Sequence, residues 1–369
     1  MGNVSNNNVA IFVPSLRGGG AERVMVILAN EFASRGYKVD LVLAKAEGPY
    51  LRNVAENVRV VDLGASRVLK SLPRLVRYLR RERPYAMLSA LNHANVIAIL
   101  AKWIARVSTR IVVSERAMVS FSMQSNPGMM PRIVFRLMRL AYPYADSITA
   151  VSSGVADDLA QAIGIARERI TVIYNPVMPV CEDHTETSSP HPWFAPGSPP
   201  VILGVGRLTK LKDFFLLIRA FAKVRIQRTC RLMILGEGEL REELEDLVKK
   251  LGLESDVTLP GFVENPYFYM SRAAVFVLSS QQEGLPNVLI QALACGCPVV
   301  STDCPSGPSE ILENGKWGRL VPVGDVDALA EAVLATLTED THPDVVSRAR
   351  DFCVEQAATR YLDVLGMCL

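Results

Sequence analysis

The sequence predicts an α/β protein built as two doubly wound domains, and three observations carry that expectation. At 369 residues the chain is too long for one small core, so two domains are expected. Strand-like and helix-like apolar runs alternate along nearly the whole chain, which argues parallel sheets covered by helices on both faces. The alternation also stops and restarts: residues 181–199, "CEDHTETSSPHPWFAPGSP", have no period and are rich in Pro, Ser and acids, and they read as a linker.

The elements follow in order. "NVAIFVPS" is a strand, "LRGGGAER" a Gly-rich turn, "VMVILANEFASRG" a helix and "KVDLVLA" a second strand, together one βαβ unit. "VRVVDL", "YAMLSAL", "RIVVSE" and "SITAVS" continue the strands, separated by the helical patterns "SLPRLVRYLRRERP", "ANVIAILAKWIAR" and "PRIVFRLMRLAYPYA". Gly164 ends one further helix, and "ITVIYNPV" is a short strand. Beyond the linker, "PVILGVGRL", "CRLMILGEGE", "VTLPGFV", "AVFVLSS" and "PVVST" are strands. "KDFFLLIRAFAKVR", "LREELEDLVKKLG" and the run after Glu283 are helices. In open α/β sheets ligands bind beyond the C-terminal ends of the strands, so those loops are where chemistry is expected.

Composition narrows the class. Apolar residues make up 49% and charged residues 21%, as in a soluble globular protein. The longest apolar runs, such as "VIAILAKWIARV", are cut by Lys102 and Arg106, well short of a membrane span. "MGNVSNNNVAIFVPS" has no basic stretch ahead of its apolar strand, so no secretory leader is expected. The seven cysteines all lie at or beyond Cys181, and reduced thiols in a cytoplasm are the simple reading. Cys295, Cys297 and Cys304 lack a nearby His and a zinc-like spacing, so no metal site is expected. Charge is unevenly spread: residues 1–180 hold 23 Lys and Arg against 12 Asp and Glu, and the rest hold 17 against 26. A basic first half suggests an anionic partner. Nucleic acid is disfavoured because no aromatic platform accompanies the basic residues. The basic amphipathic patterns bearing Arg74, Arg77, Arg80 and Arg81, and Arg132, Arg136 and Arg139, suit an anionic membrane surface, although a solvated helix face explains them equally well.

Three loops stand out. "RGGGAER" places Gly18, Gly19 and Gly20 between strand and helix, where backbone amides and the helix dipole favour an anion; a plain tight turn fits as well. "GVGRLTKLKDF" crowds Arg207, Lys210 and Lys212 after Gly206 at a strand end, and such charges repel unless an anion neutralises them. "EGLPNVLIQALACGCPVVSTDCPSGPSEIL" puts Glu283 in a Gly/Pro turn ahead of a helix. A carboxylate accepts from neutral hydroxyls, whereas a helix start receives phosphate oxygens. A nucleotide-linked sugar offers both.

With those motifs in view, the chain resembles the retaining glycosyltransferases of family four, with the GT-B architecture of two Rossmann-like domains facing a central cleft. The segments "GGGAERVMVILANEFASRGYKVDLV", "VSSGVADDLAQAIGI", "IYNPV", "GRLTKLKDF", "LGEGELREELE" and "EGLPNVLIQALACGCPVVSTDCPSGPSEIL" carry the resemblance in order along almost the whole chain. It implies an acceptor-binding domain over 1–180, the linker, a donor-binding domain over 200–345, and a C-terminal helix within 346–369 that crosses back to the first domain. It further implies that Arg207 and Lys212 bind the donor diphosphate and that Gly18, Gly19 and Gly20 approach it. Gly206 and Gly236 belong to the donor loops, and Phe262 and Val263 meet the base. Glu283 holds donor-sugar hydroxyls, while Leu285, Asn287 and Val288 contact phosphate through the backbone.

Two departures from the family pattern matter. The second glutamate of its paired motif, which usually binds the ribose diol, is Gln291 here, and Glu310 is the nearest matching carboxylate that would assist. Glu115 and Arg116 stand where many relatives have a His; with His93 they are the acceptor-side candidates, His93 reading equally as a capping or core residue. The resemblance implies retaining transfer of a hexose or N-acetylhexosamine, with UDP the expected carrier, to a lipid-linked (polyprenyl-diphosphate) or polysaccharide acceptor. It implies no cofactor or bound metal, and a cytoplasmic enzyme peripheral on the inner face of the membrane. A nucleotide-sugar 2-epimerase of the same architecture and a non-catalytic nucleotide-sugar-binding protein remain as rival readings.

Overall fold

Parallel strands covered on both faces are buried along their length, and the first strand of this chain, Asn8–Val13 (β1), is buried at all six positions. The structure is a computed structural model describing residues 7–125, 128–177, 191–263 and 265–367. The expected linker residues 181–190 lie outside the described residues. The chain divides into two compact units, one formed by residues 1–176 with 353–369 and the other by 177–352.

In the first unit β1 is followed by Lys38–Leu43 (β2), Val58–Asp62 (β3), Ala86–Ala90 (β4), Arg110–Glu115 (β5), Ser147–Ala150 (β6) and Ile170–Val172 (β7). The helices between them are Gly20–Ser34 (α1), Leu72–Glu82 (α2), Asn92–Ala105 (α3), Val119–Ser125 (α4), Met129–Ala141 (α5) and Ser153–Ile163 (α6). All pairings are parallel, in the order β3-β2-β1-β4-β5-β6-β7. The order reverses between β1 and β4, so the loops leaving those two strands flank the position where ligands bind in this architecture. The short α4 was not expected from sequence; Asp158 of α6 holds its start, accepting from Val119 N at 2.5 Å and Ser120 N at 3.2 Å.

The second unit repeats the plan with Val201–Val205 (β8), Arg231–Leu235 (β9), Val257–Gly261 (β10), Val275–Leu278 (β11), Val299–Thr302 (β12) and Arg319–Val321 (β13). Its helices are Phe214–Gln227 (α7), Arg241–Lys250 (α8), Tyr267–Met270 (α9), Asn287–Ala294 (α10), Pro308–Ile311 (α11), Val326–Thr338 (α12) and Val345–Ala349 (α13). The parallel order is β10-β9-β8-β11-β12-β13, with its reversal between β8 and β11.

The last helix, Val354–Leu365 (α14), belongs to the first unit. Its stripe Ala357, Ala358, Tyr361, Leu362 and Leu365 is buried at helical spacing and joins the first unit's core. Arg110 Nε donates at 2.9 Å to the Val364 carbonyl, one of the groups that the helix end leaves open, and Tyr37 OH donates at 2.8 Å to the Met367 carbonyl just beyond it. The expected boundary at 346 shifts for a physical reason. Buried Arg348 of α13 donates to the carbonyls of Glu310 and Ile311, both at 2.8 Å, capping α11 and tying residues 346–352 to the second unit.

Truncating Leu365, which is fully buried, to Ala is expected to cost about 2–5 kcal/mol through lost burial and a residual cavity. Urea unfolding reads the change, and a shift below about 0.5 kcal/mol, the size of an ordinary surface substitution, would show that α14 is not part of the first unit's core.

Candidate active site

At the reversal point of the second unit, the loop leaving β8 and the loop leaving β11 are joined by side chains. Lys212 Nζ lies 2.5 Å from Glu283 Oε1, and Ser280 Oγ donates to the same oxygen at 2.7 Å. Ser279 Oγ donates to the Lys212 carbonyl at 2.8 Å, and Gln281 Nε2 donates to Asp213 Oδ2 at 2.8 Å. Asp213 itself sits in left-handed backbone (φ 44°) and accepts from Leu216 N at 3.2 Å, starting α7. Glu283 thus has one oxygen engaged twice, and its Oε2 accepts no bond from the described residues. Arg207, at the start of the same β8 loop, is exposed and pairs with no acid among the described residues. A carboxylate held against a lysine, with a second cation open beside it, suits a ligand carrying both hydroxyls and an anion.

The glycines of these loops serve packing first. A Cβ on Gly236 (φ +144°) would fall 1.9 Å from the Gly206 carbonyl oxygen, and one on Gly238 would fall 2.3 Å from that of Leu208. The β8 and β9 loops therefore lie backbone against backbone, with Gly206 N donating to the Leu235 carbonyl and Leu208 N to the Glu237 carbonyl, each at 2.9 Å. On the other side, Gly307 abuts Pro286, and Ser306 Oγ donates to the Gly284 carbonyl at 2.8 Å. That contact steadies the turn of Glu283, Gly284 and Leu285 and the start of α10 at Asn287 and Val288. The positive end of the α10 dipole points to the same edge. Glu310 lies in the first turn of α11, in the segment packed against this turn. Phe262 is largely exposed just past β10, with Val263 half-buried beside it.

Gln291 lies on the buried side of α10, 6% exposed, with Nε2 donating to Tyr267 OH at 3.2 Å. Its Oε1 accepts no bond from the described residues. The thiols of Cys295 and Cys304 are pushed up to about 12 by burial, and that of Cys297 is raised further. They are inert thiols in packed surroundings. No group of three metal-ligating side chains occurs among the described residues.

The first unit treats its charges differently. The amides of Gly18 and Gly19, expected to receive phosphate, donate to Glu22 Oε2 at 2.9 and 3.0 Å. The loop thus already holds a carboxylate supplied by the first turn of α1, a contact that the glycine spacing alone did not reveal although Glu22 stands within the same motif. Across the reversal point, Leu91 has φ 78°, a strained backbone for a bulky residue, and it turns the chain into α3. His93 N donates to Asn92 Oδ1 at 2.8 Å and its Nδ1 lies 3.2 Å from the same oxygen. An amide oxygen only accepts, so this contact is a hydrogen bond in the tautomer that carries the proton on Nδ1, which leaves Nε2 as an acceptor. Burial lowers the His93 pKa and keeps the ring neutral.

Glu115 and Arg116 do not act as a pair. Glu115 is buried against α3 and takes a hydrogen bond from Tyr142 OH and another from Asn95 Nδ2 at 3.0 Å. Both bonds fall on Oε1, which turns the carboxylate toward the core rather than toward an acceptor. Arg116 points to the opposite face, where Nη1 donates to Tyr361 OH of α14 at 3.0 Å. Its Nε and Nη2 are buried without a partner among the described residues. Two unpaired donors on a buried guanidinium are costly unless a ligand or water meets them.

Comparison with known proteins follows this geometry. A family model described as Glycosyltransferase Family 4 matches residues 18–179, and one described as Glycosyl transferases group 1 matches residues 199–339. The chain is 33% identical over 345 residues, 90% of each chain, to the N-acetylgalactosamine-N,N'-diacetylbacillosaminyl-diphospho-undecaprenol 4-alpha-N-acetylgalactosaminyltransferase of Campylobacter jejuni. It is 26% identical over 358 residues, 94% of this chain and 93% of the other, to a second C. jejuni enzyme, a GalNAc-alpha-(1->4)-GalNAc-alpha-(1->3)-diNAcBac-PP-undecaprenol alpha-1,4-N-acetyl-D-galactosaminyltransferase. Among solved structures, Anabaena HepE in complex with UDP superposes with a TM-score of 0.78 at 22% identity, covering 98% of this chain and all of the other. That likeness, with the two parallel-sheet units, makes the fold GT-B.

Burial of Glu115 yields a pH prediction. Burial, opposed by the bonds from Tyr142 and Asn95, pushes its carboxyl up to about 7. A folded-state value above the unfolded one means that the folded protein binds the extra proton between about 4.5 and 7. Its contribution is therefore fully present at low pH and is lost as pH rises through that window. Thermal unfolding from pH 5 to 8 should show this fall, and Glu115→Gln should flatten it. Equal pH profiles for the two proteins would refute the assignment.

Proposed function

We propose, from the premise that this chain belongs to the family 4, group 1 glycosyltransferases, that it is a retaining, metal-independent hexosyltransferase. It moves a hexose or N-acetylhexosamine from a UDP-sugar to a sugar hydroxyl of a lipid-linked or polysaccharide acceptor. One observation carries the reading: the Lys212–Glu283 pair at the β8/β11 reversal point, with exposed Arg207 beside it. As the glycosidic bond to the donor breaks, charge grows on the leaving diphosphate. Arg207, the Lys212 ammonium and the α10 start would stabilise it electrostatically. Glu283 would hold the sugar through Oε2, and the acceptor proton would pass to the leaving phosphate on the same face, so no protein nucleophile is required. Phe262 offers an apolar surface to the base.

On the acceptor side, His93 presents a neutral Nε2 to a hydroxyl, and Arg116 supplies two unpaired donors. The diphospho-undecaprenol acceptors of the two C. jejuni relatives support a lipid-linked acceptor here. Helix α5 supports a peripheral seat on an anionic membrane surface: Arg132, Arg136 and Arg139 are exposed together with Met129, Ile133 and Leu140. No helix among the described residues is long and apolar enough to cross a membrane.

The test is a donor screen against a membrane lipid extract, reading released nucleotide and the mass added to lipid. In that assay Arg207→Ala and Lys212→Ala should each lower turnover about 100- to 1,000-fold, the size of losing one contact to developing charge, with unfolding midpoints unchanged. Near wild-type turnover in both would remove the diphosphate assignment. Release of free sugar or an epimer from donor alone, with no mass on lipid, would favour the epimerase reading. Donor binding without turnover would favour a binding protein.

Gln291 gives a separate prediction. If its Oε1 accepts from the ribose diol, Gln291→Ala should weaken UDP binding about tenfold, one ordinary hydrogen bond. Gln291→Glu should keep or tighten it, since Tyr267 OH can donate to a carboxylate. Calorimetry with UDP compares the three proteins, and three equal affinities would remove Gln291 from the site.

A further inference from the structure

Two arginines of this protein hold a carboxylate by the same edge of the guanidinium. Arg59 donates from Nε to Asp40 Oδ1 at 2.8 Å and from Nη2 to Oδ2 at 2.5 Å. Arg241 donates from Nε and Nη2 to the two oxygens of Glu237 at 2.8 and 2.6 Å. Those two N–H groups lie side by side and match the spacing of two oxygens on a carboxylate or a phosphate. On Arg116 the same two atoms, Nε and Nη2, are buried and meet no partner among the described residues. The third nitrogen is held: Nη1 donates to Tyr361 OH at 3.0 Å and to Ser114 Oγ at 3.3 Å, and the two hydroxyls lie 3.3 Å apart. Tyr361 of α14 is fully buried, so the guanidinium is anchored at Nη1 while its Nε–Nη2 edge stays unpaired. Glu115, its neighbour in the chain, is engaged by Tyr142 and Asn95 and forms no ion pair with it.

We infer that the Nε–Nη2 edge of Arg116 seats an oxyanion of a substrate, a phosphate or a carboxylate, rather than a neutral hydroxyl. The inference rests on the acceptor-side reading of Arg116 given above and narrows it. A hydroxyl oxygen accepts from the edge but leaves the positive charge without a counterion in a shielded place. Burial already disfavours that charge and lowers the Arg116 pKa. An oxyanion brings two acceptor oxygens at the right spacing together with the missing negative charge, as Asp40 does for Arg59. Arg116 lies one residue past the end of β5, at the edge of the sheet where ligands bind in this architecture, and keeps 9% of its surface exposed. Tyr361 is then a positioning residue: its hydroxyl holds Nη1 and so sets the direction of the paired donors.

The test uses the full-length protein carrying Arg207→Ala and Lys212→Ala, so that the cations of the second unit do not answer for the anion. Methyl phosphate, acetate and glycerol are titrated while the arginine Nε–H resonances are followed, the Arg116 signal being the one missing from Arg116→Lys. At least one of the two anions should move that signal to saturation, and glycerol should not. A response to methyl phosphate alone identifies a phosphate, and one to acetate alone a carboxylate; either, or both, supports the proposal. By calorimetry, Arg116→Gln and Arg116→Lys should each weaken the responding anion at least about tenfold, the size of a charge-assisted pair. Arg116→Gln removes an unpaired buried charge, so its unfolding midpoint without anion should equal or exceed that of the parent. Tyr361→Phe keeps the ring and should weaken the anion at least about threefold; an unchanged affinity would remove its positioning role. An equal response to glycerol, no response to either anion, or unchanged anion affinity in both Arg116 variants would each overturn the proposal. Sugar transfer onto lipid by wild-type protein in the donor screen, alongside such a failure, would leave the transferase reading standing with Arg116 meeting only neutral groups or water.

Discussion

Opposite charges at the β8/β11 reversal point organise the candidate donor site. Lys212 and Glu283 are 71 residues apart, yet the strand order makes their loops neighbours and their side chains meet at 2.5 Å. The pair is partly buried, with the lysine side chain 23% and the glutamate 12% exposed. Attraction at such a depth is strong but is largely offset by the cost of desolvation. Its structural value lies in direction. With Oε1 engaged by Lys212 and Ser280, Glu283 is fixed in one orientation, and Lys212 retains donors for an incoming anion. The glycine contacts of the β8 and β9 loops and the Pro286–Gly307 contact are the backbone frame that makes this orientation reproducible.

The first unit solves the complementary problem. Its Gly-rich loop is filled by Glu22, Glu115 is drawn into the core, and Arg116 is left with unmatched donors. The net effect is a surface at the β1/β4 reversal point whose anions are internally satisfied. An anion approaching the loop amides would have to compete with Glu22, which already accepts from both Gly18 and Gly19.

The two parallel α/β units and the placing of Arg207, Lys212 and Glu283 in loops at strand ends were legible because they depend on runs of apolar residues and on the turns that end them. What was not legible depends on parity and local competition. Glu115 ends β5 one residue after Ser114 and one before Arg116, so successive side chains point to opposite faces. Both faces are covered by helices, and composition alone does not say which of them is polar. Likewise, Gln291 was read as a ribose ligand, but its helical phase also turns its amide toward Tyr267. The second unit's boundary was misplaced by a few residues because Arg348 looks like any surface arginine until its carbonyl partners are known.

Charge counting shows the same limit in a sharper form. The first half carries a large excess of Lys and Arg, and two of its helices look equally basic in sequence. In the fold they differ. Arg74 of α2 donates to the Leu63 carbonyl, and Arg80 donates at 2.8 Å to the Ile104 carbonyl, where it caps the C-terminal end of α3. These cations are spent on backbone carbonyls and favour the helix dipole. On α5, Arg132, Arg136 and Arg139 are exposed, and none pairs with an acid among the described residues. A basic sequence therefore marks an anion-facing surface only where its guanidinium groups have no carbonyl to satisfy. By that criterion α2 is divided, with Arg74 and Arg80 turned to carbonyls and Arg77 and Arg81 exposed, whereas all three arginines of α5 are directed outward.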